Sequence, residues 1–313
     1  MHETMLALLL GFVLDLILGD PEWLYHPVCI IGKYISFAEK KLRARGGNLR
    51  RGALWLTAST VIFTMLSVAG VLWLLSLMGR IPLLIGMTLL DWMGLAAMSL
   101  AKEAKGVKKA LDQGVEAGRT QVARIVGRDT SQLSEPEIIK ATVETVAENT
   151  ADGVISPMLY AALGGPILLW GFKAASTLDS MVGYLDPKYK DIGWSSARLD
   201  DVLNYLPARL TALLLCLGAA ICGLDAKNAL RIVKRDHRNH KSPNCAWSEA
   251  AAAGALHIQL GGVHLYFGKT IDKPTIGDAD REVVRRDIDH TVRMMFAASG
   301  TMLSLLVLGT LLL

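Results

Sequence analysis

Apolar residues in this chain fall into long blocks rather than at alternating or amphipathic spacing. Residues 13–18, 54–78, 81–100, 154–170, 202–222 and 294–313 form such blocks. Several approach the roughly 20 residues that carry an α-helix across the hydrocarbon core of a bilayer. The pattern predicts an all-α fold, a polytopic integral membrane helical bundle with long polar, helical loops. It reads as one membrane-embedded domain over 1–313, with cytoplasmic segments at about 33–53, 102–153 and 224–293. The first block follows His2 and Glu3, is interrupted by Asp15 and lacks a small-residue cleavage site. It therefore reads as a short span or an interfacial helix, not as a signal peptide.

Polar positions between the blocks set the orientation. Lys33, Lys40, Lys41, Arg43, Arg45, Arg50 and Arg51 stand against a single Glu39, which assigns this loop to the cytoplasm. Block 54–78 then crosses outward, 81–100 returns, and the basic segment 102–152 is again cytoplasmic. Ser134 followed by Glu137, with Pro136 in the first turn, is a capping-box pattern opening a helix over about 135–150. That helix is expected to end at Asp152 and Gly153. Block 154–170 contains Pro157, Gly164, Gly165 and Pro166. Such breakers persist at membrane depth only where protein or a watery cavity satisfies the backbone. A broken or re-entrant element is expected there, returning the polar loop 176–201 to the cytoplasmic face.

Composition supports the membrane reading. The chain is 52% hydrophobic and 20% charged, and its mean hydropathy is +0.36. A net charge of only +4 gives no reason to expect nucleic acid as a partner. Cys29, Cys216, Cys222 and Cys245 show no C-x-x-C spacing, so neither a disulfide framework nor a zinc site is indicated.

Four clusters could carry chemistry. Glu144 and Glu148 share a helix face, with Asp152 one further turn on. Like charges at that spacing invite a divalent cation, and magnesium suits one or two carboxylates plus substrate phosphates. Pairing of Glu144 with Lys140 is the plain alternative. The second cluster mixes Asp179, Asp186 and Asp191 with Lys173, Lys188, Lys190 and Arg198, and puts Asp200, Asp201 and Asn204 at the mouth of the next block. Acidic residues there are costly unless paired or functional; an interfacial Asp–Arg198 anchor would account for one of them. In the third, Lys234, Arg235, Arg238 and Lys241 lead into Ser242-Pro243, an N-cap and N1 pair beside Asn244, with Gly261 and Gly262 closing the helix. A helix start behind basic residues is an anion site suited to phosphate, although positive-inside charge explains the bases alone. The fourth holds Trp23, Tyr25 and His26, read as interfacial belt residues. No Walker A loop, G-x-S-x-G or dinucleotide fingerprint is present.

Several ordered stretches carry a family likeness. "GDPEWLYHPVCIIG", "VGRDTSQLSEPEIIKATVETVAENTADGVISPMLYAALGGP", "KAASTLDSMVGY", "SARLDDVLNYLPARL", "SPNCAWSEAAAAGALHIQLGG" and "KPTIGDADR" together resemble the CbiB/CobD family of cobalamin biosynthesis proteins, the adenosylcobinamide-phosphate synthases. The resemblance implies a multi-pass enzyme of the bacterial inner membrane with its active site on the cytoplasmic face. It further implies an ATP-dependent amide bond between adenosylcobyric acid and (R)-1-amino-2-propanol or its O-phosphate, with ATP and Mg2+ as cofactors. The corrinoid, the amino alcohol (phosphate), the lipid bilayer and other late-pathway corrinoid enzymes are the expected partners. For such a ligase the candidate magnesium ligands are Glu144, Glu148 and Asp152, with Asp200 and Asp201 as a second group. Arg235, Lys241, Ser242 and Asn244 are candidates for phosphate, followed by Lys173, Lys188 and Arg198. Asp179, Glu249 or His240 would act as base, and Trp23, Tyr184 and Trp194 would wall the corrinoid. Two other classes stand beside this: a small-molecule transporter, motivated by Asp15, Asp91 and the broken block, and an AmpE-like membrane sensor or scaffold.

Overall fold

The fold is that of a computed structural model and covers residues 2–21, 23–266 and 269–312. Contacts group the chain into two compact units. Residues 1–96, 156–204 and 306–313 form the first; residues 97–155 and 205–305 form the second.

The first unit contains α1 (His2–Leu18), α2 (Pro27–Arg45), α3 (Leu49–Leu77), α4 (Arg80–Gly94), α8 (Ser156–Val182) and α9 (Trp194–Leu203). Local chemistry sets their starts. The Asn48 side chain accepts from the backbone N–H groups of Arg50 and Arg51, capping α3. His26, read from sequence as a belt residue, is instead the N-cap of α2: its Nδ1 accepts from the Val28 N–H at 3.2 Å, with Pro27 behind it. Its Nε2 lies 2.8 Å from the Met93 carbonyl, so the ring joins α2 to the end of α4. Burial pushes the His26 imidazole below its ordinary value, against the pull of Asp20. Gly94 permits the close packing of α4 on α8, since a Cβ there would lie 2.2 Å from a Leu169 methyl. The outer surface of α3 leaves Leu66, Trp73 and Leu77 exposed, as a lipid-facing helix should.

The second unit contains α5 (Ala97–Leu111), α6 (Val115–Val122), α7 (Glu135–Thr150), a π-turn (Ala151–Ile155), α10 (Tyr205–Ile221), α11 (Ala226–Asp236), α12 (Cys245–Leu256), a hairpin and most of α13 (Arg286–Leu312). The capping box at α7 is present: the Glu137 carboxylate accepts from the Ser134 N–H at 2.7 Å and its hydroxyl at 2.6 Å. Helix α12 is almost wholly buried, with Ala250, Ala251, Ala252 and Ala253 all at 0% exposure. Its small residues let α11 approach closely; a Cβ on Gly254 would meet the Ala229 Cα at 2.8 Å. His257 ends α12 in the left-handed conformation, its ring between Asp225 and Asp280.

Among the described residues, four helical stretches are long and apolar enough to cross a membrane: Leu49–Leu77, Arg80–Leu111, Glu135–Val182 and Arg286–Leu312. The α9–α10 pair makes a fifth if taken as one bent span. The chain is thus an all-α, multi-pass membrane protein, as its hydropathy blocks predict. Helix α1, at 17 residues, falls short of that length.

Two further local expectations need correction, and a third is met. The α7 helix does not stop at Asp152 and Gly153 but passes through the π-turn into α8. Gly261 and Gly262 do not close a helix; they open strand β1 (Leu260–Tyr266), which pairs antiparallel with β2 (Lys269–Ile276). Their positive φ values, 73° and 93°, suit the bulge between Leu260 and Gly262. The expected break is present: Gly164 (φ −154°, ψ 26°) and Gly165 (φ 63°, ψ −161°) interrupt α8 immediately before Pro166.

Candidate active site

Helix α7 presents Glu144 and Glu148 on one face, four residues apart, as the spacing predicts. In the second unit that face lines a polar cavity of about 230 Å³, together with Arg128, Thr145, Asn149, His240 and Glu249. The two glutamates do different work. Glu144 is paired with Arg128 at 3.1 Å, with side-chain exposures of 12% and 4%, and its second oxygen accepts from the Gly261 N–H at 2.9 Å. Lys140 is not its partner among the described ion pairs. Glu148 accepts from the Cys245 thiol at 3.0 Å. Burial pushes the Cys245 thiol well above its ordinary value, and the carboxylates of Glu148, Glu249 and Asp152 push it further. Asp152 sits in the π-turn, so it does not simply extend the Glu144–Glu148 row.

The cavity brings together Glu144, Glu148, Glu249 and His240 from the expected set. Glu249 is 7% exposed on α12. His240 accepts from the Ser242 N–H on Nδ1 at 3.0 Å, which directs Nε2 away from that turn. Among the described residues, no group of three or more His, Cys, Asp or Glu side chains is arranged to hold a metal ion. The donor chemistry is still hard and anionic. Glu148 and Glu249 both line the cavity with carboxylate oxygens, the donor type that magnesium takes one or two at a time beside phosphate and water.

The expected phosphate group is arranged differently. Arg235 donates from Nε and Nη2 to Asp236 at 2.7 and 2.8 Å, and from Nη1 to Asp278 at 2.7 Å. Asp236 also accepts from the Gly277 N–H at 2.7 Å. Burial alone would raise the Asp236 carboxyl, but Arg235 and Gly277 outweigh it and hold it below the usual range. Arg235 therefore braces the "GDADR" segment and is not a ready phosphate ligand. Ser242 is not the N-cap either. Helix α12 begins at Cys245 with Asn244 in the cap position, and the Ser242 hydroxyl accepts from the Asn244 N–H at 3.3 Å. Asn244 Oδ1 lies 3.4 Å from Arg209, whose guanidinium sits over the rings of Tyr205 and Trp247. Lys241 is exposed.

The remaining candidates belong to the first unit. Asp179 and Lys173 lie on α8. Asp200 accepts from Asn204 at 3.1 Å, and Asn204 in turn accepts from Ser156 at 2.8 Å, so this carboxylate organises the end of α9. Asp201 is half-buried beside it, while Arg198 is exposed. Lys188 packs over the Tyr189 ring, Tyr184 is 52% exposed, and Trp194 donates to the Arg50 carbonyl. Trp23 is 79% exposed. Sequence reasoning missed Arg128 and Cys245. Arg128 sits in the stretch "VGRDTSQ", whose lone arginine among polar turn residues was the available signal.

The chain matches the family described as CobD/Cbib protein over residues 8–295. It is 46% identical over 314 residues to the cobalamin biosynthesis protein CbiB of Salmonella typhi, covering 97% of each chain. It is 48% identical over 299 residues to the cobalamin biosynthesis protein CobD of Geobacter metallireducens, covering 95% of this chain and 94% of that one. The CobD protein of Klebsiella pneumoniae subsp. pneumoniae is 44% identical over 314 residues. No solved structure matches the chain at a significant level. With its family profile and near full-length relatives in agreement, the chain belongs to the CobD/Cbib family.

Proposed function

We propose that this protein acts in cobalamin biosynthesis as an ATP-dependent amide ligase of the bacterial inner membrane, working at the cytoplasmic face. It joins adenosylcobyric acid to (R)-1-amino-2-propanol or its O-phosphate, giving adenosylcobinamide or its phosphate. The names of the relatives support the pathway. The observation that carries the reaction class is the cavity where Glu148, Glu249 and His240 share one polar space with Arg128.

The reaction must convert a corrinoid carboxylate into an acyl phosphate at the expense of ATP. The amine then displaces phosphate to form the amide, releasing one proton. Glu148 would hold magnesium, which would neutralise charge on the transferring phosphate. The amine attacks only when neutral, so a nearby group must accept its proton. Glu249 and His240 are suited by their shared cavity. Arg128, anchored on Glu144, is the one arginine or lysine among the described residues that line the cavity. A cavity of about 230 Å³ suits a small amine or a phosphate group, not a corrin ring.

The test is a reaction of purified protein in detergent with adenosylcobyric acid, ATP, magnesium and each amine donor, followed by mass spectrometry. Amide product is expected with one of the donors, and Glu148→Gln and Glu249→Gln should each reduce it at least tenfold. Absence of product with every donor would remove the ligase assignment.

A further inference from the structure

The first unit contains acidic groups that the ligase chemistry does not use. Helices α1 and α4 lie side by side in the same direction. Arg80 at the start of α4 pairs with Glu3 at the start of α1, and the Trp92 indole donates to the Gly19 carbonyl just past the end of α1. Between these ties the helices nearly touch. A Cβ on Gly11 would lie 2.9 Å from the Asp91 Cβ and 3.1 Å from the Thr88 carbonyl. The Asp91 side chain therefore leaves α4 on the side that faces α1. It is 0% exposed, and neither carboxylate oxygen has a hydrogen-bond partner among the described residues. Thr88, one turn earlier on the same face, is 8% exposed, and its hydroxyl also lacks a partner among the described residues. Asp15, one turn beyond Gly11 on α1, is likewise 0% exposed. Asp91 belongs to the membrane-crossing stretch Arg80–Leu111.

A carboxyl group sealed among apolar helices must be paired or carry a cation. Among the described ion pairs, none reaches Asp91; the nearest arginine on its own helix, Arg80, is engaged with Glu3. We propose that Asp91, with Thr88 and Asp15, forms a buried monovalent-cation site between α1 and α4, occupied by sodium or a proton. Both ions supply the same chemistry, a single positive charge on the carboxylate. Gly11 belongs to the site because any side chain there would push α1 away from Asp91. This inference is independent of the ligase reading.

The experiment uses full-length protein in detergent. Thermal unfolding is followed while sodium chloride replaces choline chloride at constant ionic strength, and the infrared C=O stretch of protonated carboxyl groups is recorded on the same samples. Occupation by sodium predicts a rise in midpoint of about 2–4 °C that Asp91→Asn abolishes and Thr88→Val weakens. Occupation by a proton predicts no sodium response, but a carboxylic-acid band that disappears in Asp91→Asn and shifts in Thr88→Val. Should Asp91→Asn fail to fold, Asp91→Glu supplies the band shift, and the wild-type titration stands by itself. A wild-type protein with neither a sodium response nor a buried carboxylic-acid band overturns the proposal.

Discussion

Removing the charge of Glu144 should cost far more than its surface neighbours would suggest. The Arg128–Glu144 pair is 3.1 Å apart, with side-chain exposures of only 4% and 12%, so solvent screens it little. Removing one member of a buried pair leaves the other uncompensated, at a cost of about 3–5 kcal/mol. Glu144→Gln isolates the charge, because the amide oxygen still accepts from the Gly261 N–H. Arg128→Met keeps the length of the side chain and removes its donors. Each single variant should lose about 3 kcal/mol, whereas the double variant should lose less than the sum, with a coupling of about 1–3 kcal/mol. Unfolding in detergent, followed by tryptophan fluorescence, measures all four corners of the cycle. The Arg128 Nε has no partner among the described residues, which makes the isosteric replacement cheaper still. Two single variants each within about 0.5 kcal/mol of wild type, with additive effects, would refute the argument.

Other outcomes are as specific. Ser134→Ala removes the hydroxyl and loosens the capping box of α7, and should cost about 1 kcal/mol in the same unfolding assay. Gly193→Ala would put a Cβ 1.7 Å from the Val182 carbonyl oxygen, so the backbone must shift; a loss of at least about 2 kcal/mol is expected. Hydrogen bonds from Arg235 and then Arg231 hold the Asp278 carboxyl below its usual range. That contribution is complete above the ordinary carboxylate value of about 4 and fades as pH falls through the lowered value, so Asp278→Asn should flatten the acid limb of a stability–pH curve. Maleimide at pH 8 should label exposed Cys29 well before Cys245, whose thiol is held protonated by burial and neighbouring carboxylates; peptide mass spectrometry reads the order.

The sequence was most informative where a single element decided the outcome. Hydropathy blocks located the spans because apolar length is a local property, and Ser134 with Glu137 located the start of α7 for the same reason. The glycine pair and Pro166 announced the break in α8 through backbone chemistry alone. Partnerships were harder to read. Arg235 looked like a phosphate ligand until Asp236 and Asp278 took its donors, and Asp278 lies 43 residues away in sequence. Ser242-Pro243 had the right types for a helix start, but Asn244 took the cap position, so the local signal lost to packing of the alanine-rich α12. The partner of Glu144 lay on the turn before α7 rather than on the helix itself, which spacing rules do not address.

The interruption of α8 also bears on length. At 1.5 Å per residue, its 27 residues would make a straight rod of about 40 Å, against a hydrocarbon core of about 30 Å. Gly164 and Gly165 divide that rod into pieces of about 12 and 26 Å, and the φ of 63° with ψ of −161° at Gly165 is open only to glycine. Any residue with a Cβ at that position favours a straighter, longer element, whose ends would overrun the bilayer or force it to tilt. In a membrane of given thickness, the glycine pair is thus what fits this helix to its solvent.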